Sequence, residues 1–151
     1  MNNIGNVLIL GDSYSTFEGM IPEGQATYYG KERHPDHKVS DFKDTWWGMV
    51  IAENGGTLVR NDSWSGATIC YTGRVSPEFA YNSSFVNRMH LLVRDRFFER
   101  EKIDTILVFG GTNDSWLETT PKGEIKLSDW SEEDLYSSLP AICYMAAKLK
   151  A

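Results

Sequence analysis

The chain has 151 residues, 41% of them hydrophobic and 24% charged, and a net charge of −6. A chain of this length makes one domain that buries roughly 68–70% of its unfolded surface. The acidic balance argues against nucleic acid or an anionic membrane surface as partner. The start, Met1-Asn2-Asn3, has no basic region, and the apolar run that follows is too short for a membrane span. That predicts a cytoplasmic protein, or a secreted or periplasmic one if a leader has been removed. Two cysteines, Cys70 and Cys143, sit in apolar settings without metal-type spacing and read as buried free thiols. No metal ligand set and no cofactor motif is evident.

Val7-Leu8-Ile9-Leu10 is a run of mostly branched apolar residues, the pattern of a strand buried on both faces in a parallel sheet. It runs into Gly11-Asp12-Ser13. From there to about Phe42 there is no clean periodicity; glycines and prolines alternate with Tyr14, Phe17, Tyr28 and Tyr29. Loops of this length tend to be binding loops or lids. Its aromatics either line a cleft or pack the loop onto the body. His34 and His37 sit in His-Pro-Asp-His, where the proline disfavours a helix and no third ligand is evident, so a solvated turn is the expectation.

Asp44 or Thr45 caps a predicted helix with Trp46, Trp47, Val50 and Ile51 on one face, stopped by Asn54-Gly55-Gly56. Thr57-Leu58-Val59 reads as a short second strand, followed by the polar turn Asn61 to Gly66. Strand, helix and strand in that order imply a parallel pair. Ser83 or Ser84 begins a second helix with Phe85, Met89, Leu92, Val93 and Phe97 on its apolar stripe; His90 lies beside that stripe as a packed or half-exposed structural residue. Ile103 to Phe109 is the third strand, ending in Gly110-Gly111-Thr112-Asn113-Asp114. Thr119 to Leu127 suggests a small hairpin, Ser131 to Asp134 resembles a capping box, and Pro140 opens a final helix at its first turn.

Three strand ends thus carry small polar residues. In a sheet of order 2-1-3, strands one and three flank the point where the winding reverses, and a cleft opens beyond their carboxyl ends. A serine there is either a cap or a nucleophile. A serine attacking an ester creates an oxyanion, which needs donors already in place. The N–H groups of Ser13 and Gly66 and the side-chain amide of Asn113 could supply them. Taken singly, Gly66 is a turn residue and Asn113 an Asx-turn residue.

With these motifs, the chain resembles the SGNH, or GDSL-type, hydrolases over its whole length. Gly11-Asp12-Ser13 matches the nucleophile motif, although Tyr14 replaces the usual leucine. Asn61 to Gly66 resembles the segment with the oxyanion-hole glycine, and Gly111-Thr112-Asn113-Asp114 matches Gly-x-Asn-Asp, the most specific of the three. The resemblance implies an α/β/α sandwich of three layers on a five-stranded parallel, flavodoxin-like sheet. It makes Ser13 the nucleophile, Gly66 and Asn113 the oxyanion donors, and Asp12 a supporting motif residue. Tyr14 and Asp114 become candidate substrate contacts, and the substrate a small-molecule ester, with no cofactor.

The departure matters equally. In this family the acid and base come from a late Asp-x-x-His, and this sequence contains none; its histidines are His34, His37 and His90. The expectation is therefore the first two-thirds of a family domain, nearly inactive by itself, its sheet cut after the third strand. An apolar edge left open there recruits other chains, so a homo-oligomer is expected. The rival reading is a non-catalytic descendant of the fold that binds a carbohydrate or acyl ligand. A nucleotide-binding flavodoxin-like protein is disfavoured, because the first loop has no glycine-rich phosphate cradle.

Overall fold

A computed structural model describes residues 3–32, 36–116, 118 and 120–150. In chain order the elements are β1 (Asn6–Gly11), α1 (Trp46–Asn54), β2 (Thr57–Ser63), α2 (Pro77–Ser83), α3 (Phe85–Arg94), α4 (Phe97–Arg100), β3 (Thr105–Phe109), α5 (Thr112–Trp116) and α6 (Ser138–Lys150). The chain divides into two compact units, Met1–Ser65 with Phe98–Phe109 and Gly66–Phe97 with Gly110–Ala151. Among the described residues, no helix is long and apolar enough to cross a membrane.

The first unit holds a three-stranded sheet in the order β2-β1-β3, both pairs parallel, as the hydrophobic runs predict. Val7, Leu8, Ile9 and Leu10 on the central strand are all fully buried. Alternation along β1 sends Val7 and Ile9 into one cluster with Phe17 and Trp47, closed by Ile4, Ile51, Leu58 and Leu107. Thr45, rather than Asp44, caps α1 by accepting the Gly48 N–H at 3.1 Å, and Gly55 ends the helix with φ +68°. Near their amino ends, β1 and β3 are pinned by the Asp104 carboxylate on the Asn6 N–H (2.9 Å) and by the Thr105 hydroxyl on the Ile4 carbonyl (2.7 Å). β3 has a strand neighbour on one side among the described residues, and its Val108 and Phe109 are 40% and 42% exposed.

The second unit is helical. α2 was not anticipated, although Ser76-Pro77 is a strong start signal: the Ser76 hydroxyl accepts the Phe79 N–H and Pro77 stands where no donor is needed. α3 is capped by Ser84 and buries Phe85, Met89 and Leu92, as its stripe predicts; Val93, in the last turn beside exposed Arg94 and Asp95, is 62% exposed instead. The capping box forms in reciprocal fashion, with the Asp134 carboxylate accepting from the Ser131 N–H (2.7 Å) and the Ser131 hydroxyl accepting from the Asp134 N–H (3.4 Å).

The hairpin expected from Thr119 does not form. Residues 120–130 contain no strand, and Thr119 itself lies outside the described residues. The carbonyls of Pro121 and Lys122 are taken up by the Ser138 and Leu139 N–H groups at the start of α6, both at 2.9 Å. A helix start needs acceptors for its first donors, and that demand wins over strand pairing. Pro140 then sits in the first turn of α6, as predicted. Both cysteines are free; Cys70 is buried and Cys143 half-buried.

Candidate active site

The turn after β1 is built from its own polar residues. Asp12, fully buried, uses its carboxylate to accept the Tyr14 N–H at 3.1 Å, and so caps a single 3-10 turn over Ser13–Ser15. Its own N–H reaches the Phe109 carbonyl at the end of β3 (3.3 Å). A Cβ on Gly11 would collide with the Ser15 and Ser63 side chains, so only glycine lets the chain curl here.

The turn is anchored from two elements at once. The Ser15 carbonyl accepts the Trp47 indole N–H from α1 at 2.9 Å and the Asn61 amide from β2 at 2.8 Å. Trp46 reaches the Ser15 hydroxyl at 3.0 Å, and Ser63 donates to the Asn61 side-chain oxygen. Ser15, Trp47, Asn61 and Ser63 are all buried. Sequence reasoning missed this anchorage because it took Asn61-Asp62-Ser63 for the start of a turn; they are the last three residues of β2, where strand pairing with β1 continues and points Asn61 at the Ser15 carbonyl.

Ser13 itself is half-exposed, and its hydroxyl makes no hydrogen bond among the described residues. Its carbonyl accepts the Thr16 hydroxyl at 2.8 Å, and Thr16 in turn accepts the Tyr28 N–H at 2.8 Å. That relay ties the turn to the long aromatic loop. Tyr14 packs edge-on against Tyr28 and Phe109, and the loop's rings surround a cavity of about 200 Å³ lined by Tyr28, Tyr29, His37 and Thr27 with the carboxyl groups of Glu18 and Glu32. His37 packs against both tyrosine rings, with centroids 5.2 and 4.7 Å away. His34 lies outside the described residues.

In the helical unit, Gly66 has φ +84°, a region that L side chains avoid; space is not the issue, since a Cβ would touch only the Phe79 ring at 3.6 Å. The Asn113 amide donates to the carbonyl of the next residue, Ala67, at 2.8 Å, which leaves one of its two N–H groups for another acceptor. Gly66 and Asn113 are therefore brought into one neighbourhood. The Asp114 carboxylate, by contrast, is taken up by the backbone N–H groups of Ile69 and Cys70. His90 is held between two phenols, Tyr144 at 2.8 Å and Tyr71 at 3.4 Å, and burial together with the Lys148 ammonium pushes its pKa below the ordinary 6.5. Burial also pushes the Cys70 thiol up to about 12, so it is inert at neutral pH.

A parallel sheet of order β2-β1-β3 with small polar residues beyond its carboxyl ends defines an open α/β fold whose ligands bind at those ends. The chain belongs to the GDSL-like lipase/acylhydrolase family, whose model matches residues 5–151. Among solved structures it is similar to a protein assigned as a GDSL-like lipase from Bacteroides ovatus ATCC 8483, with 37% identity and a TM-score of 0.77 over 95% of this chain. It is similar also to one so assigned from Bacteroides uniformis ATCC 8492, with 40% identity and a TM-score of 0.73 over 96%. The chain spans 65% and 64% of the lengths of these two proteins. None of the curated proteins matches it.

Proposed function

We propose that the chain is a serine hydrolase of carboxylic esters, with Ser13 as nucleophile. The observation that carries this reading is the Ser13 hydroxyl itself: half-exposed, unbonded among the described residues, and set on a turn whose neighbours are locked to α1 and β2. Ser13 Oγ would attack the ester carbonyl, and the oxyanion would draw on the N–H groups of Ser13 and Gly66 and the second Asn113 amide hydrogen. Collapse of that intermediate expels the alcohol and leaves an acyl-serine, which water hydrolyses. Gly66 lies three residues beyond β2 and Asn113 four beyond β3, the ends where open α/β sheets carry their chemistry.

The aromatic cavity favours a compact, polar ester. Its volume of about 200 Å³ and its two glutamates suit a small acyl group or one sugar ring better than a long acyl chain, since pockets for drug-sized ligands run to roughly 300–1,000 Å³.

The serine proton needs an acceptor. These 151 residues contain no Asp-x-x-His, and His90 is engaged by Tyr71 and Tyr144. Loss of triad function costs on the order of 10⁴–10⁶ in kcat, while an oxyanion hole and binding alone leave roughly 10³–10⁴ over water. The chain by itself should therefore hydrolyse p-nitrophenyl acetate slowly, and Ser13→Ala should abolish the hydrolysis. His37→Ala is the companion variant: a further loss would assign His37 as the base. A fluorophosphonate that fails to label Ser13, with saturable binding of an acetylated sugar, would replace the esterase by a binding module of the same fold.

A further inference from the structure

Asp114 follows Asn113 on α5, and its carboxylate faces the loop that opens at Gly66. It accepts the Ile69 N–H at 2.9 and 3.1 Å through its two oxygens and the Cys70 N–H at 3.4 Å. The same loop accepts the Asn113 amide at Ala67, and α3 donates its Phe85 and Val86 N–H groups to the Thr68 and Ile69 carbonyls (3.0 and 3.3 Å). Asp114 is 8% exposed, and no cation pairs with it among the described residues. Two consecutive residues of one short helix thus grip a loop by its backbone, one through an amide and one through a carboxylate.

This grip is maintained against a stability cost. Burial raises the Asp114 pKa above the ordinary 3.8, and the N–H groups of Ile69 and Cys70 only partly offset that. A folded-state pKa above the unfolded one means that the folded chain binds the proton more tightly. Stability from this group therefore rises as pH falls from the raised value towards 3.8, and the ionised form at neutral pH opposes folding. Of the titratable and charged side chains on the loop, α3 and α5, the one that acts on Asp114 is the Cys70 thiol, neutral throughout this range.

We propose that Asp114 is a positioning residue for the oxyanion-stabilising groups: its ionised carboxylate clamps the 69–70 backbone and so fixes the Gly66 N–H and the Asn113 amide in one frame. The proposal rests on the esterase reading for its purpose, but the clamp can be measured apart from activity. Asp114→Asn keeps the shape of the side chain and sets an NH₂ group against a backbone donor, so the clamp loosens without a cavity.

The test is a two-dimensional amide NMR titration of the full chain from neutral pH down through the carboxylate range. In the wild type, the Ile69, Cys70 and Gly66 amides and the Asn113 side-chain amide should shift with one midpoint, above the usual carboxylate range. Asp114→Asn should lose that shared transition. It should also label at Ser13 with a fluorophosphonate about tenfold to a hundredfold more slowly, the loss expected from small misplacement of catalytic groups. With p-nitrophenyl acetate the loss should fall on kcat, not KM. Movement of Ile69 and Cys70 alone, with Gly66 and Asn113 still, would overturn the proposal, as would labelling of Asp114→Asn at the wild-type rate. A wild type that shows the shared transition but never labels at Ser13 would uphold the clamp and remove the esterase reading.

Discussion

The Ser15 carbonyl receives two buried donors, the Trp47 indole and the Asn61 amide, and Asn61 passes the constraint on by accepting the Ser63 hydroxyl. Buried polar chains of this kind are worth most when every member is satisfied and cost most when one is removed. Asn61→Ala would leave the fully buried Ser63 hydroxyl without its acceptor and halve the grip on the turn. The expected loss is about 1–3 kcal/mol, read as a lower urea midpoint at unchanged m value. None of this was legible beforehand. Ser15 and Asn61 are 46 residues apart, and no local periodicity announces a hydrogen bond of that span. The turn at Gly11-Asp12-Ser13 was legible, because a tight turn is local chemistry, but the cap falls one residue earlier than the serine offered for it: the Asp12 carboxylate, the stronger acceptor, takes the Tyr14 N–H.

Among the elements, the short local signals read well and the long ones less so. The β1 run, the Thr45 and Ser84 caps and the Pro140 start all hold, since each depends on residues within one turn. The Thr119–Leu127 hairpin failed because α6 needed the same carbonyls. His90 belongs to this scale, for its hydrogen bond to Tyr144 joins α3 to α6. Burial and Lys148 hold the folded His90 neutral at pH values where an unfolded histidine is already charged. A depressed histidine pKa gives stability that is fully present above about 6.5 and is lost as pH falls from there towards the folded value. Melting should therefore fall on acidification through that window, and His90→Gln should flatten the response. An unchanged slope in the variant would mean that another group governs it.

At the scale of the whole molecule, β3 offers Val108 and Phe109 on a strand paired on one side only among the described residues. Parallel strands ordinarily lie covered, and an apolar edge is a template for a further strand. The expected consequence is association of the 151-residue chain at tens of micromolar, seen by light scattering as a dimer or larger. Val108→Lys, a charge of the sort that blunts edges, should shift it towards monomer. A wild type that stays monomeric at that concentration would retire the expectation.

The doubly held carbonyl at Ser15 also separates two parts of the molecule that can change independently. With both its lone pairs occupied from α1 and β2, the turn that presents the hydroxyl takes its coordinates from the sheet framework. The aromatic wall formed by Tyr28 and Tyr29 hangs from that turn chiefly through the Thr16 hydroxyl and the Tyr14 ring. Substitutions can therefore remodel the wall, and with it the ligand choice that the proposed function assigns to it, while the Ser13 hydroxyl stays where the strands put it.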